Sequence, residues 1–132
     1  MIFPITSLYA IPLAVIFLVL WIGVTKTRSA LSVSIGDAGN TDLHERIRRH
    51  GNFVEWVPMI LILMVLAEGQ GAGPLWLHAA GALVVIGRIL HPIGLRANAP
   101  THPLRIAGNS ACILATLTLT LALALVALGS RP

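Results

Sequence analysis

The chain has 132 residues, of which 56% are apolar and only 11% are charged, with a mean hydropathy of +0.86 and a formal net charge of +4. Because a water-soluble domain carries about a quarter charged residues, this composition argues against a soluble enzyme, a disordered chain and a nucleic-acid-binding module. The single cysteine, Cys112, rules out an internal disulfide and a multi-cysteine metal site.

The first predicted membrane span covers residues 3–25. Residues 3–24 carry no formal charge, and this length at about 1.5 Å rise per residue is enough to cross a hydrocarbon core roughly 30 Å thick. The first cations, Lys26 and Arg28, follow the apolar run instead of preceding it. We therefore predict a retained span and not a cleaved signal peptide.

Three further apolar runs complete the predicted architecture. A loop rich in Ser, Gly, Asp and Asn at 29–42 precedes the second span, and a Gly-rich turn at 67–74 precedes the third. The sequence predicts one domain over residues 1–132, an all-α integral membrane protein built as a bundle of four transmembrane helices. The predicted spans after the first are 46–67, 74–95 and 105–129.

The basic residues are strongly biased toward one side of the predicted membrane. Eight of the nine Lys and Arg residues lie between spans one and two or near the junction of spans three and four, and the ninth is Arg131. The positive-inside rule then predicts a bacterial inner-membrane protein whose basic loops lie in the cytoplasm and whose two termini lie in the periplasm.

Polar residues continue directly into the second span. Arg48, Asn52 and Glu55 follow the spacing i, i+4, i+7, which places them on one face of a helix. Arg46 and Arg49 are compatible with a snorkelling basic helix end. An alternative for Glu55 is a purely structural ion pair with Arg88 or Arg48.

A second polar cluster lies at the basic end of the third span. Arg88 and His91 are one helical turn apart, Leu95 continues the same face, and Pro92 removes a backbone donor between them. His91 on its own is compatible with a structural role. Ionisable groups inside a membrane usually face a bundle interior or a cavity, so two such clusters at the same end favour a binding site.

The residue types indicate the kind of ligand. Guanidinium groups recognise carboxylates, Asn offers a donor and an acceptor, and Glu accepts from an ammonium group. A zwitterionic, peptide-like molecule with two carboxylates fits this set. No histidine spacing typical of a metal site occurs, and no G-x-S-x-G motif supports a serine hydrolase.

With these motifs the sequence resembles the MAPEG family, the membrane-associated proteins of eicosanoid and glutathione metabolism, and within it the short bacterial branch. The matching parts are IRRHGNFVEWVP at 47–58, GRILHPIGL at 87–95 and GDAG at 36–39. The resemblance implies a homotrimer of four-helix subunits that binds glutathione as a co-substrate between neighbouring subunits. The implied glutathione-binding residues are Lys26, Arg48, Asn52, Glu55, Arg88 and His91.

The implied catalytic residues are Arg105 and Arg28. Arg105 would stabilise the glutathione thiolate and Arg28 would be a proton donor or second cation, but Arg105 matches the family arginine only if the loop before it shifts by one residue. Leu95 also departs from the pattern, because it stands where well-studied eukaryotic members have a tyrosine.

Three functions remain open from the sequence. The first is a glutathione-dependent transferase or peroxidase acting on a small lipophilic substrate at the cytoplasmic membrane face. The second is a non-enzymatic membrane protein that binds a lipid or small anion in the inherited pocket. The third is a small exporter, although Glu55 lies toward the cytoplasmic end, away from the midplane position expected for transport.

Overall fold

Four long α-helices make up the fold. The computed structural model describes residues 2–129, so Arg131 and both chain ends lie outside the described part. Within that part there is no β-strand, which confirms the predicted all-α architecture of four helices. Each helix is long and apolar enough to cross a membrane. The helices are α1 (Pro4–Leu31), α2 (Thr41–Gly69), α3 (Pro74–Gly94) and α4 (Pro103–Gly129).

Local residues determine where the helices begin. Pro4 and Pro74 occupy the first turns of α1 and α3, where the missing N–H of proline costs nothing. Asn40 caps α2 by accepting a hydrogen bond from the Leu43 amide at 2.9 Å. The second helix thus begins at Thr41, five residues before the predicted span at 46–67. The loop before it is shorter than predicted and covers residues 32–40, so the basic residues at the start of α2 lie on a helix.

Close packing of α3 against α4 brings the polar residues of both helices together. A Cβ on Gly87 would lie 2.8 Å from the Gly108 carbonyl oxygen, and a Cβ on Gly108 would lie 2.7 Å from the Gly87 carbonyl oxygen. Only glycine at both positions permits this approach. The buried core extends from there through all four helices, and its larger members are Leu13, Ile60, Met64, Leu77, Val84, Cys112 and Leu119.

At the opposite end of the bundle, an acidic side chain joins the end of α2 to the start of α1. Glu68, near the end of α2, accepts hydrogen bonds from the amides of Ile5 and Thr6, each at 2.8 Å, and from the Thr6 hydroxyl at 2.6 Å. A carboxylate at a helix N-terminus satisfies free amides and interacts favourably with the helix dipole. The start of α1 is thereby anchored to the end of α2.

Candidate functional site

A polar cavity opens at the basic end of the bundle, where α2, α3 and α4 meet the loop after α3. We call it the central cavity; its volume is about 270 Å³. Four of the predicted site residues line it: Arg48 and Asn52 from α2, His91 from α3 and Arg105 from α4. The structure therefore brings together side chains that are up to 57 residues apart in the sequence (105 − 48).

The predicted stripe on α2 is present, but its members face different surroundings. Arg48 and Asn52 line the central cavity, whereas Glu55 is not among its lining residues. Glu55 contacts Arg48, with a nitrogen-to-oxygen distance of 3.4 Å, and both side chains are half exposed. Of the two partners considered for Glu55, the structure selects Arg48 over Arg88.

Arg88 lies just beside the cavity and is 1% exposed. Its Nη1 donates to the Asn52 side-chain oxygen at 2.6 Å, and its Nη2 donates to the Gly108 carbonyl oxygen at 3.2 Å. The 2.6 Å contact with Asn52 is a short, charge-assisted hydrogen bond, a type that is stronger than one between neutral groups. Arg88 thus orients Asn52, which lines the cavity, whereas Arg88 itself is not among the lining residues.

Two buried polar atoms at the cavity wall have no protein partner. His91 is 1% exposed and its Nδ1 accepts and donates no hydrogen bond, and the Oδ1 of Asn109 is likewise buried without a partner. Both residues line the central cavity. Because buried polar atoms in folded proteins are nearly always hydrogen-bonded, a ligand or water is expected at this wall.

Asn109 was not predicted from the sequence. It follows Arg105 by four residues on α4, the same spacing that separates Arg48 from Asn52 on α2. This repeated Arg-x-x-x-Asn pattern is the signal that could have identified it. The close packing of α3 and α4 then places Asn109 on the same cavity as His91.

The rim of the cavity is held by an ion pair on α2. Arg49 donates to the Leu95 carbonyl oxygen from Nε at 3.1 Å and from Nη2 at 2.9 Å, and its Nη2 also contacts Glu45 at 2.7 Å. Glu45 accepts from the Ala97 amide at 2.8 Å. Arg49 therefore has a structural role beyond that of a snorkelling residue, because its guanidinium fixes the loop after α3.

Arg105 and Leu95 complete the wall on the loop side. Arg105 lines the cavity and donates from Nη1 to the Pro100 carbonyl oxygen at 3.2 Å. It lies at the cavity even though it matches the family arginine only if the loop before it shifts by one residue. Leu95 also lines the cavity and contributes an apolar surface there.

The GDAG loop at 36–39 contacts a residue of the cavity wall. Asp37 accepts from the Gly39 amide at 2.9 Å and pairs with His44, which lines the central cavity. The hydrogen bond from Gly39, followed by the contact with His44, holds the pKa of Asp37 below its usual value of 3.8. The loop therefore favours an ionised Asp37, which positions His44 at the wall.

Lys26 and Arg28 lie away from the central cavity of their own subunit. Lys26 lines a separate cavity between α1 and α2, and Arg28 donates to the Gly36 carbonyl oxygen at 2.8 Å. Their predicted roles in binding and catalysis would require a neighbouring copy of the chain and stay predictions.

Four helices able to cross a membrane, with a cationic cavity at one end, are the features of an integral membrane protein with a polar cavity. A model described as the MAPEG family matches residues 6–125. The chain is also 33% identical, over 90 residues, to the inner membrane protein YecN of Escherichia coli K12 and to its counterpart in strain O6:H1, covering 68% of this chain and 69% of each relative. No solved structure matches the chain.

The chain therefore belongs to the MAPEG family. The apolar helices and the inner-membrane relatives support a location in the inner membrane. The family membership confirms the resemblance inferred from the two polar motifs.

Proposed function

We propose that the protein is a glutathione-dependent membrane enzyme, a transferase or peroxidase, that conjugates or reduces lipophilic electrophiles at the cytoplasmic membrane face. The observation that carries the proposal is the wall of the central cavity, where the unpartnered polar atoms of His91 and Asn109 lie beside the arginines Arg48 and Arg105. Under this proposal the termini lie in the periplasm.

The donor set of the cavity fits glutathione. Arg48, Arg96 and Arg105 line the cavity and are suited to its two carboxylates, since guanidinium groups recognise carboxylates by paired hydrogen bonds. The amide groups of Asn52 and Asn109 can exchange hydrogen bonds with its peptide bonds. Glu45 lines the cavity too and suits its ammonium group, as Glu55 does at the adjoining surface.

Arg105 is the residue we assign to thiol activation. A thiol has a pKa near 8.5, and a nearby guanidinium lowers it by stabilising the thiolate. Among residues 2–129 the guanidinium of Arg105 has one hydrogen-bond partner, the Pro100 carbonyl oxygen, so its remaining N–H groups can face a thiolate. Bound glutathione would supply the nucleophilic sulfur that adds to an electrophile dissolved in the bilayer.

The site favours assembly with neighbouring copies, and we propose a homotrimer. Arg48 and Glu55 are 49% and 52% exposed on a helix that crosses the membrane. A charged side chain facing lipid costs on the order of 3 kcal/mol on insertion scales, so a second copy over this face would be favourable. At about 270 Å³ the cavity of one subunit is also slightly smaller than typical small-molecule pockets.

Turnover of an Arg105 variant tests this proposal. We expect Arg105→Ala to lower conjugation of glutathione to a generic aromatic electrophile by about 100-fold, the usual loss when one charge-stabilising group is removed. Arg105→Lys retains the positive charge and should keep part of the activity. Full activity in Arg105→Ala, in protein that elutes as the wild-type assembly, would contradict the assignment.

A second candidate function is binding without turnover. Leu95 presents no hydroxyl at the cavity, and Arg105 already has a carbonyl partner, so a ligand could be held there without thiol activation. Wild-type protein that binds glutathione in calorimetry but turns over no electrophile would favour this candidate over the enzyme.

A further inference from the structure

A second cationic cavity lies between α1 and α2 at the basic end of the bundle. Its volume is about 380 Å³, and it shares no lining residue with the central cavity. The polar and small residues that form it are Gly23, Lys26, Thr27, Asn40, Asp42 and Arg46. We call it the α1–α2 cavity.

The cations of this cavity exceed its carboxylates. The side-chain ammonium group of Lys26 makes no hydrogen bond or ion pair with any residue in the described range 2–129. Arg46 is oriented by Asp42, whose carboxylate accepts from Nε at 2.8 Å. This contact uses only Nε, Arg46 lines the cavity, and its Nη1 lies near Gly23, 3.4 Å from where a Cβ on that residue would be. The two cations thus face a single carboxylate.

An apolar extension leads from this cavity toward the membrane. A smaller cavity of about 130 Å³ shares Gly23 and Arg46 with it and is otherwise lined by Val19, Leu20 and Arg49, the last of which is engaged by Glu45 and the Leu95 carbonyl oxygen. Val19 is 62% exposed, so this extension lies open to lipid. At Gly23 the absence of a side chain leaves room between the two cavities; a Cβ there would lie 3.4 Å from Arg46 Nη1.

We propose that this groove binds an anionic phospholipid, with the headgroup phosphate between Lys26 and Arg46 and the start of an acyl chain along Val19 and Leu20. Basic pockets between transmembrane helices are suited to anionic headgroups, because each cation near the membrane surface attracts them. The apolar extension favours a lipid over a free anion. The groove shares no lining residue with the central cavity, and it gives Lys26 a ligand within its own subunit.

Native mass spectrometry of the full-length protein in detergent tests the proposal, with phosphatidylglycerol or phosphatidylcholine added at equal concentration. We expect wild-type protein to retain phosphatidylglycerol preferentially. Each of Lys26→Gln and Arg46→Gln should reduce that retention by about five-fold. The matched control is Arg28→Gln, which removes a cation two residues from Lys26 that lines neither cavity, and its retention should stay near the wild-type value.

A second variant separates a loss of binding from a loss of folding. Gly23→Val keeps both cations but fills the passage between the two cavities, so it should also reduce phosphatidylglycerol retention. Equal retention of both lipids by the wild type would overturn the proposal. So would displacement of the lipid by millimolar inorganic phosphate, which would indicate a free-anion site. The proposal would also be overturned if Lys26→Gln and Arg46→Gln kept the lipid preference but lost glutathione binding or subunit assembly. That result would indicate that a neighbouring copy of the chain occupies the α1–α2 cavity.

Discussion

Arg88 is buried in a membrane-crossing helix, and none of its acceptors in residues 2–129 is a carboxylate. Its hydrogen bonds go to the side-chain and backbone oxygens of Asn52 and to the carbonyl oxygen of Gly108, and its buried Nε has no hydrogen-bond partner among these residues. Neutral acceptors do not cancel the charge of the guanidinium, so a positive field persists next to the central cavity. That field favours an anionic ligand, although Arg88 itself does not reach the cavity surface.

Removing the acceptor of Arg88 should destabilise the protein. In Asn52→Leu the guanidinium loses its shortest hydrogen bond, and hydrogen bonds to charged groups contribute about 1.5–3 kcal/mol. We expect the free energy of unfolding in detergent to fall by about that amount. The matched control is Asn98→Leu, since Asn98 is exposed in the loop after α3. Equal stability of the two variants would show that the contact contributes little.

Helical spacing predicted Arg48, Asn52 and Glu55 as one group on α2, and Arg88 and His91 as another on α3. The sequence could not show that Arg88 acts through Asn52, because that contact depends on how closely α3 approaches α2. It also could not place Lys26, since the nearly uniform apolar surface of α1 does not indicate which side meets α2. Asn109 was missed because one amide in an apolar helix is compatible with simple packing.

At the level of elements, the contact between α3 and α4 controls the shape of the cavity. A Cβ on Gly108 would lie 2.7 Å from the Gly87 carbonyl oxygen and from the His91 amide nitrogen. Any larger residue must therefore push the two helices apart. His91 on α3 and Asn109 on α4 would separate with them, which couples helix packing to the ligand site.

We expect Gly108→Ala to lower the free energy of unfolding by about 1–3 kcal/mol, the usual cost of overpacking. Gly51→Ala is the matched control, because its Cβ would make an ordinary contact 3.6 Å from Arg48 and alanine favours the helix. Thermal unfolding in detergent measures both. A Gly108→Ala protein as stable as the control would contradict the close approach of α3 and α4.

The loop before α2 should respond to acid. The pKa of Asp37 is lowered in the folded protein, so its stabilising contribution is complete above about 3.8 and is lost as the pH falls through the lower folded value. We expect wild-type protein to unfold at a higher temperature than Asp37→Asn at about pH 5, and the difference to shrink as the pH falls below the lowered pKa of Asp37. A difference that grows on acidification would show that the protonated form is the stabilising one.

Hydropathy predicted the number and type of the helices correctly, because a run long enough to cross a bilayer is a strong signal. It could not locate the start of α2 at Thr41. The first turns of that helix are polar and depend on the Asn40 cap, a local hydrogen bond that hydropathy does not register. The length of the loop at 32–40 follows from that cap.

At the scale of the whole molecule, charge and apolar surface divide the protein into regions with different roles. Large apolar residues are exposed along all four helices, as expected for a surface that faces lipid. Within residues 2–129 the cations collect at one end, where they line two separate cavities, one shared by α2, α3 and α4 and one between α1 and α2. Under the functions proposed above, the basic composition would reflect both the orientation predicted by the positive-inside rule and anion binding.

The exposed pair of Arg48 and Glu55 predicts association of copies at that face. We expect wild-type protein to elute as a trimer by light scattering in detergent. Glu55→Arg replaces the pair with two like charges and should shift the protein toward monomers, whereas Glu55→Gln should retain more of the assembly. A monomeric wild type would contradict the proposed homotrimer.

Isothermal titration of glutathione into detergent-purified protein tests the central claim most directly. Binding in the micromolar to low-millimolar range is expected for the wild type. That binding should be lost in Arg48→Ala and strongly weakened in Asn109→Ala, and retained in Asn98→Ala, whose side chain lies outside the cavity. Absence of binding by correctly assembled wild-type protein, or equal binding by all three variants, would contradict a glutathione site in the central cavity.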